Sequence, residues 1–451
     1  MPVILVILLV LLNISPVFGF DLPVSRISDD SLLRNRMKEA WITEAPARVL
    51  SQRAKTEVLE NGERVLVSAI EGREEFMVLF SRELIRGTSI ENRSGTREFP
   101  GWAQGSWMIT RRKDTGAGTL IRFFPRSDQN THIQFRPFDR EKSFMDVILY
   151  GAHISRSITV AAPFERLYTM QLKDILSLVE NKFPLRYFEP DPLNYKDTRT
   201  MIEQIRSRIG GLRFADDGAI DHRGRYVYIN TGLDQQGQPG LNCSGFTKWL
   251  IDGILRPVTG ERLEIPPLKA PFGKRGSSIT DIWEESRDPF FGLDWIRNLA
   301  SQAGTTLYAP AFGSLIEIEV RGEPFSHLIT RNGARSTIAT YPGFLENAGY
   351  GVEGLLPLLY TLAIDEPGRF YLAAINNEIG PPATGTNPRG IPRMRQYFHV
   401  AALVPYFNQN GVFAVAVFES AAENTFNTFR ARYSGHNVNL VRVPVGIHFD
   451  P

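Results

Sequence analysis

Cys243 is the only cysteine of the chain, and it stands in Leu241-Asn242-Cys243-Ser244-Gly245-Phe246. Behind it, Phe246, Trp249, Leu250 and Ile254 recur on one helical face, so the spacing predicts an amphipathic helix opening at or just after the thiol. The free N–H groups and the positive dipole end of such a helix favour a thiolate. A thiolate is a nucleophile once a histidine can reach it, provided a third group holds that histidine in the right tautomer. The bland alternative is a buried structural cysteine, since free cysteine is among the most buried residue types.

Seven histidines are available, at 132, 153, 222, 327, 399, 436 and 448. Two lie suitably downstream of the helix, His327 and His399. His399 sits in the hydrophobic run Gln396-Tyr397-Phe398-His399-Val400-Ala401-Ala402-Leu403-Val404, which reads as a strand. Across the turn Asn408-Gln409-Asn410-Gly411 comes Val417-Phe418-Glu419-Ser420. A hairpin there sets Glu419 beside His399 as the carboxylate partner of the imidazole, with Asn424 or Asn427 as substitutes.

Other chemistries find less support. The stretch Gly349-Tyr350-Gly351-Val352-Glu353-Gly354 fits the dinucleotide fingerprint by letter. No strand is expected before it and Pro357 follows, so it is not read as a cofactor site. Gly-x-Ser-x-Gly, His-Glu-x-x-His and Walker loops are absent. No metal or organic cofactor is implied. The 51 basic and 49 acidic residues leave a net charge of +2, which argues against nucleic acid as a partner.

The elements that must position these residues follow in chain order. Residues 1–19 read as a secretory signal, with an apolar run from Val3 to Leu12 and Val17-Phe18-Gly19 at the cleavage site. The run is short for a membrane span, so a membrane contact is expected only if the signal stays uncleaved. Export to the periplasm or cell envelope, or beyond the cell, is therefore expected. In an oxidising compartment a lone cysteine is easier to explain if it reacts. Residues 20–60 are expected to be helical. Residues 61–163 read as a β-rich domain for binding or scaffolding, with alternating segments such as Ile121-Arg122-Phe123 and Ile133-Gln134-Phe135-Arg136. Residues 164–196 are expected to hold one helix, Phe164 to Asn181, and a proline-containing linker. The remainder, 197–451, is expected to form one catalytic domain. Its long, irregular insert (256–367) carries a helix near Trp283–Ala303 and is expected to cap or narrow the site. Asn437–Val443 is expected to be the closing strand.

The ordered series of motifs resembles the NlpC/P60 superfamily of papain-like cysteine peptidases and amidases, over about residues 197–443. Arg225-Tyr226-Val227-Tyr228 is similar to the tyrosine-bearing strand of that family, and Asn242-Cys243-Ser244-Gly245-Phe246 to its nucleophile motif. Pro367-Gly368-Arg369-Phe370 is similar to the turn leading into its next strand, and His399-Val400 to its base. Asn242 stands where the family usually has Asp, Arg369 replaces an Asp, and Glu419 occupies a third position more often held by His. The resemblance implies an α+β chain with a papain-like C-terminal domain, helices packed on an antiparallel sheet. It implies Cys243 as nucleophile, His399 as general base and Glu419 as the orienting residue. Tyr226, or its neighbour Tyr228, would help the Cys243 N–H hold the oxyanion. The implied activity is hydrolysis of an amide bond in peptidoglycan or another envelope peptide. Two alternatives stand beside it. One is a non-catalytic envelope-binding protein with a degenerate papain-like domain. The other is papain-like chemistry on a lipid or protein substrate, for which Leu355, Leu356, Leu358 and Leu359 would supply an apolar surface.

Overall fold

The computed structural model describes residues 21–86, 96–180, 182, 185–273, 288–321, 326–331, 334–339, 343–345, 348–378 and 395–451. The expected signal, residues 1–19, lies outside them. Among the described residues no helix is long and apolar enough to cross a membrane. The chain is an α+β protein built on two antiparallel sheets.

Alternation of apolar and polar residues builds the first sheet. Val65 and Val67, Phe76, Val78 and Phe80, and Met145, Val147 and Leu149 all turn to one buried face, as the two-residue period of a strand requires. Eight strands follow one another in sequence order: Lys55–Val58, Arg64–Glu71, Glu75–Arg82, Trp107–Arg112, Gly118–Phe123, His132–Pro137, Ser143–Leu149 and Ala152–Val160. Short helices cover the buried face, among them Ser31–Met37, Pro46–Ser51 and Leu172–Ser177.

Three expectations for this half are corrected. Residues 20–60 are not helical throughout, because Lys55–Val58 joins the sheet as its first strand. The single helix from Phe164 to Asn181 is broken into Phe164–Leu167 and Leu172–Ser177. Between them, the carbonyls of Tyr168 and Met170 accept hydrogen bonds from Arg34 Nη1 (2.6 Å) and Nη2 (2.8 Å) instead of from helix N–H groups. The expected linker is packed rather than loose. Tyr187, Phe188 and Tyr195 are buried, the Tyr195 hydroxyl donates to the Ala363 carbonyl at 2.9 Å, and Tyr360 donates to the Tyr187 carbonyl at 2.5 Å.

The second sheet has six strands, in the order Tyr350–Gly351, Asn437–Pro444, Arg369–Glu378, Arg395–Phe407, Phe413–Glu419, Ala422–Thr425. Both of its faces are buried. Phe370, Leu372, Ala374, Ala402 and Val404 pack with the helices Lys196–Ile209, Cys243–Thr259 and Phe291–Leu307. Tyr371, Ala373, Ile375, Ala401 and Leu403 pack with the helix Leu355–Asp365 and are continuous with the core of the first sheet.

The strand expected over 437–443 forms as Asn437–Pro444, the last in the chain, and lies inside the sheet between Tyr350–Gly351 and Arg369–Glu378. Here too the chain departs from expectation. The insert 256–367 is not wholly irregular, since it supplies the helices Phe291–Leu307 and Leu355–Asp365. The first begins at Phe291 rather than near Trp283, and residues 283–287 lie outside the described residues. It joins the core, and Trp295 Nε1 donates to the carbonyl of Ser244, the neighbour of Cys243, at 2.9 Å. The second helix is apolar on all sides, as a helix enclosed by protein becomes, so it shows no amphipathic period. Leu355, Leu358 and Leu359 are each 0% exposed, which removes them as a lipid-binding surface. His327 falls on the strand Ser326–Arg331.

Candidate active site

The approach to Cys243 is set by glycine. A Cβ on Gly245 would collide with the Gly218 carbonyl oxygen, and one on Gly218 with the Gly240 carbonyl. Three backbone segments are thereby pressed together under the first turn of the helix Cys243–Thr259, an approach only glycine allows. Replacing Gly245 by alanine is expected to cost about 3 kcal/mol or more of stability, as overpacking does at its worst. A urea unfolding curve unchanged by the substitution would contradict that packing.

Asn242 is the cap of this helix. Its Oδ1 accepts from the Gly245 N–H at 2.8 Å, and its carbonyl accepts from the Phe246 N–H at 2.9 Å. An aspartate would do the same capping work, so the Asn-for-Asp departure leaves the turn intact. Further along, Lys248 and Asp252 form a fully buried ion pair at 2.6 Å, and Asp252 also accepts from the Leu263 N–H at 2.8 Å. Cys243 is thus the half-buried first residue of a rigid helix.

His399 comes from the strand Arg395–Phe407, which carries an extra residue at this point. Ile375 pairs with His399, yet the next residue, Asn376, pairs with Tyr397, leaving Phe398 as a bulge. Bulges re-aim side chains and recur beside active sites. The imidazole Nε2 lies 2.8 Å from Glu419 Oε2, and the ring is near enough to Cys243 for each to shift the other's protonation. The Tyr433 ring stacks on the imidazole, centroids 5.3 Å apart and planes 22° from parallel.

Glu419, 1% exposed, is held by more than the histidine. Its Oε1 accepts from Asn424 Nδ2 at 2.9 Å and Arg432 Nη1 at 2.5 Å. Its Oε2 accepts from the Tyr433 hydroxyl at 3.1 Å as well as from His399. Of the three candidates for the third position, Glu419 is the one hydrogen-bonded to His399. Asn424 supports it from behind, and Asn427 is exposed on the neighbouring helix Phe426–Arg432.

These contacts decide the protonation states. Burial pushes the Cys243 thiol up, but the hydrogen bond and charge of His399, the Val400 backbone N–H and the Ser244 hydroxyl together bring it below its ordinary value. Burial pushes the His399 imidazolium down; hydrogen bonds to Cys243 and Glu419, with their charges, outweigh that and raise it to about 9. Burial likewise opposes the Glu419 carboxylate, yet His399, Arg432 and Tyr433 keep its pKa lowered. The balance favours the thiolate, the imidazolium and the carboxylate together, each over its neutral or unpaired form.

Tyr226 is half-buried and packs against the core that includes the Cys243 helix. It lies on the strand Tyr226–Tyr228, opposite Ile220, while Tyr228 lies opposite Gly218. Both tyrosines share the face opposite buried Val227. Among the described residues, neither is joined by a hydrogen bond to Cys243 or His399. The structure thus brings Cys243, His399 and Glu419 together, and among the described residues no hydrogen bond joins Tyr226 to Cys243 or His399. Sequence reasoning missed Arg432 and Tyr433, which no motif marks. It also missed the Val400 N–H, which only the bulged strand could reveal.

Residues 23–187, the first sheet with its covering helices, match the model of a family described as a domain of unknown function, DUF8515. The match ends before the helix that carries Cys243. No curated protein and no solved structure matches the chain.

Proposed function

We propose that the chain is an exported cysteine hydrolase of the papain-like, NlpC/P60 type that cleaves an amide bond in cell-wall peptide. One observation carries the reading: a lone thiol at a capped helix N-terminus lies beside His399, the two shifting each other's protonation, and the His399 Nε2 is 2.8 Å from buried Glu419. That is the nucleophile–base–orienter arrangement of covalent acyl transfer.

In this reading the Cys243 thiolate Sγ attacks the carbonyl carbon, and the oxyanion forms beside the Cys243 N–H at the positive end of the helix. The C–N bond then breaks as His399 gives a proton to the departing amine, leaving a thioester. Water attacks the thioester with His399 as base; the carboxylic acid leaves and the thiolate–imidazolium pair returns. Glu419 stays ionised throughout and holds the imidazolium in place. Tyr226 enters as a second oxyanion donor only on the strength of the family resemblance. Export rests on the sequence of residues 1–19, and the cell-wall substrate rests on the resemblance.

The test is digestion of purified peptidoglycan by the protein, beside its Cys243→Ala variant, with products resolved by mass. New peptide fragments from the native protein alone are expected, and their masses name the bond. An undigested sacculus, with a Cys243 thiol no more reactive than free cysteine, would favour a binding protein instead.

A further inference from the structure

A cavity of about 300 Å³ opens in the N-terminal unit, away from Cys243, between residues 24–30 and the helix Leu172–Ser177. Its floor is aromatic, Trp107 and Phe123, and Leu172 and Leu176 form its wall. An engineered apolar cavity of about 150 Å³ takes up benzene, so this one has room for a body the size of an indole ring with a short chain. The charged residues lining it are mostly acidic: Asp29, Asp30, Glu180 and Glu189 beside Lys173.

Asp30 decides the sign of the ligand. It is 2% exposed, and its Oδ1 accepts from Arg34 Nε at 2.8 Å. Among the described residues its Oδ2 is buried with no hydrogen-bond partner, a state that costs free energy until a donor arrives. Arg34 is not available to an anion, since its remaining nitrogens donate to the Tyr168 and Met170 carbonyls and its guanidinium lies 3.8 Å over the Trp107 ring. We infer that this cavity is a binding site for a small organic ammonium. The aromatic or aliphatic body lies on Trp107 and Phe123, and the ammonium donates to Asp30 Oδ2 within the field of the acidic mouth. The site is independent of the thiol chemistry and gives the N-terminal unit a ligand of its own.

Calorimetric titration with three isosteric probes tests it: tryptamine (a cation), tryptophol (neutral) and indole-3-acetate (an anion). Tryptamine is expected to bind at least about ten-fold more tightly than tryptophol, the worth of one charge-assisted hydrogen bond, and indole-3-acetate to bind least. Filling the cavity with Leu176→Trp is expected to abolish tryptamine binding. Asp30→Asn should erase the preference for the amine. Because that change also touches Arg34 and the fold, Glu180→Lys at the exposed mouth serves as a second variant and should weaken tryptamine several-fold with the circular dichroism unchanged. No heat from tryptamine at millimolar concentration, equal affinity for tryptamine and tryptophol, or undiminished binding by a folded Leu176→Trp variant would overturn the inference.

Discussion

Cys243→Ala is expected to lower hydrolysis by on the order of 10⁶-fold, the loss that follows removal of a nucleophile from a relay that acts as a unit. The fold should survive it. Cys243 is half-buried at a helix start, the cap is made by Asn242 rather than by the thiol, and alanine is the best helix former. The variant removes the atom that bonds to the substrate carbonyl and leaves the helix dipole, the Asn242 cap and the glycine-packed approach in place. Substrate binding should therefore persist while turnover stops, and a mass-resolved digestion with a parallel binding assay separates the two. A variant that digests cell-wall peptide at more than a small fraction of the native rate would show that the chemistry lies elsewhere.

Glu419→Gln is expected to cost about 10²- to 10⁴-fold in kcat/KM, the range for losing the charge of an orienting carboxylate while keeping its shape. The reasoning runs through His399. Glu419 is one of the groups that raise the imidazolium to about 9 against the opposing effect of burial. The reactive form is the thiolate–imidazolium pair, so activity falls at high pH as the imidazolium loses its proton and at low pH as the thiolate gains one. The native profile should have its alkaline limb near pH 9 and its acid limb below the ordinary thiol range. Because Glu419 raises the imidazolium, removing its charge should move the alkaline limb to lower pH. Tyr433→Phe keeps the stacked ring and deletes only the 3.1 Å hydrogen bond, so the loss should be a few-fold. An alkaline limb that stays put in Glu419→Gln would detach the carboxylate from the histidine's work.

Local chemistry explains what could be read from residues alone. The cap at Asn242, the apolar stripe behind it and the glycine at 245 are short-range signals, and each sits where the sequence puts it. His399 and Glu419 were legible because a tight turn ties their strands together, fixing which residues lie near each other. What stayed hidden depends on distant partners. The break after Leu167 exists because Arg34, far back in the chain, takes two carbonyls that a helix would use. The helix Leu355–Asp365 has no polar face because it is enclosed, and enclosure erases the period. Nothing near Asn437 announces that its strand slips between two others. The bulge at Phe398 is a register event between two strands, and neither strand shows it alone. Arg432 and Tyr433 reach Glu419 from a helix whose direction is set by the sheet beneath it.

The most direct test of the central claim is the pH dependence of Cys243 alkylation by iodoacetamide, in the native protein and in His399→Ala. A free thiol is roughly 0.3% ionised at pH 6, and its rate climbs about ten-fold per pH unit up to its pKa. A thiol whose pKa is lowered by a neighbouring imidazolium is more ionised there and reaches its plateau at lower pH, although a lower pKa makes each thiolate somewhat less nucleophilic. The account predicts a native rate that levels off at a lower pH than that of free cysteine, the difference being lost once His399 is removed. A native rate that climbs like that of free cysteine, and is unaltered by His399→Ala, would contradict it.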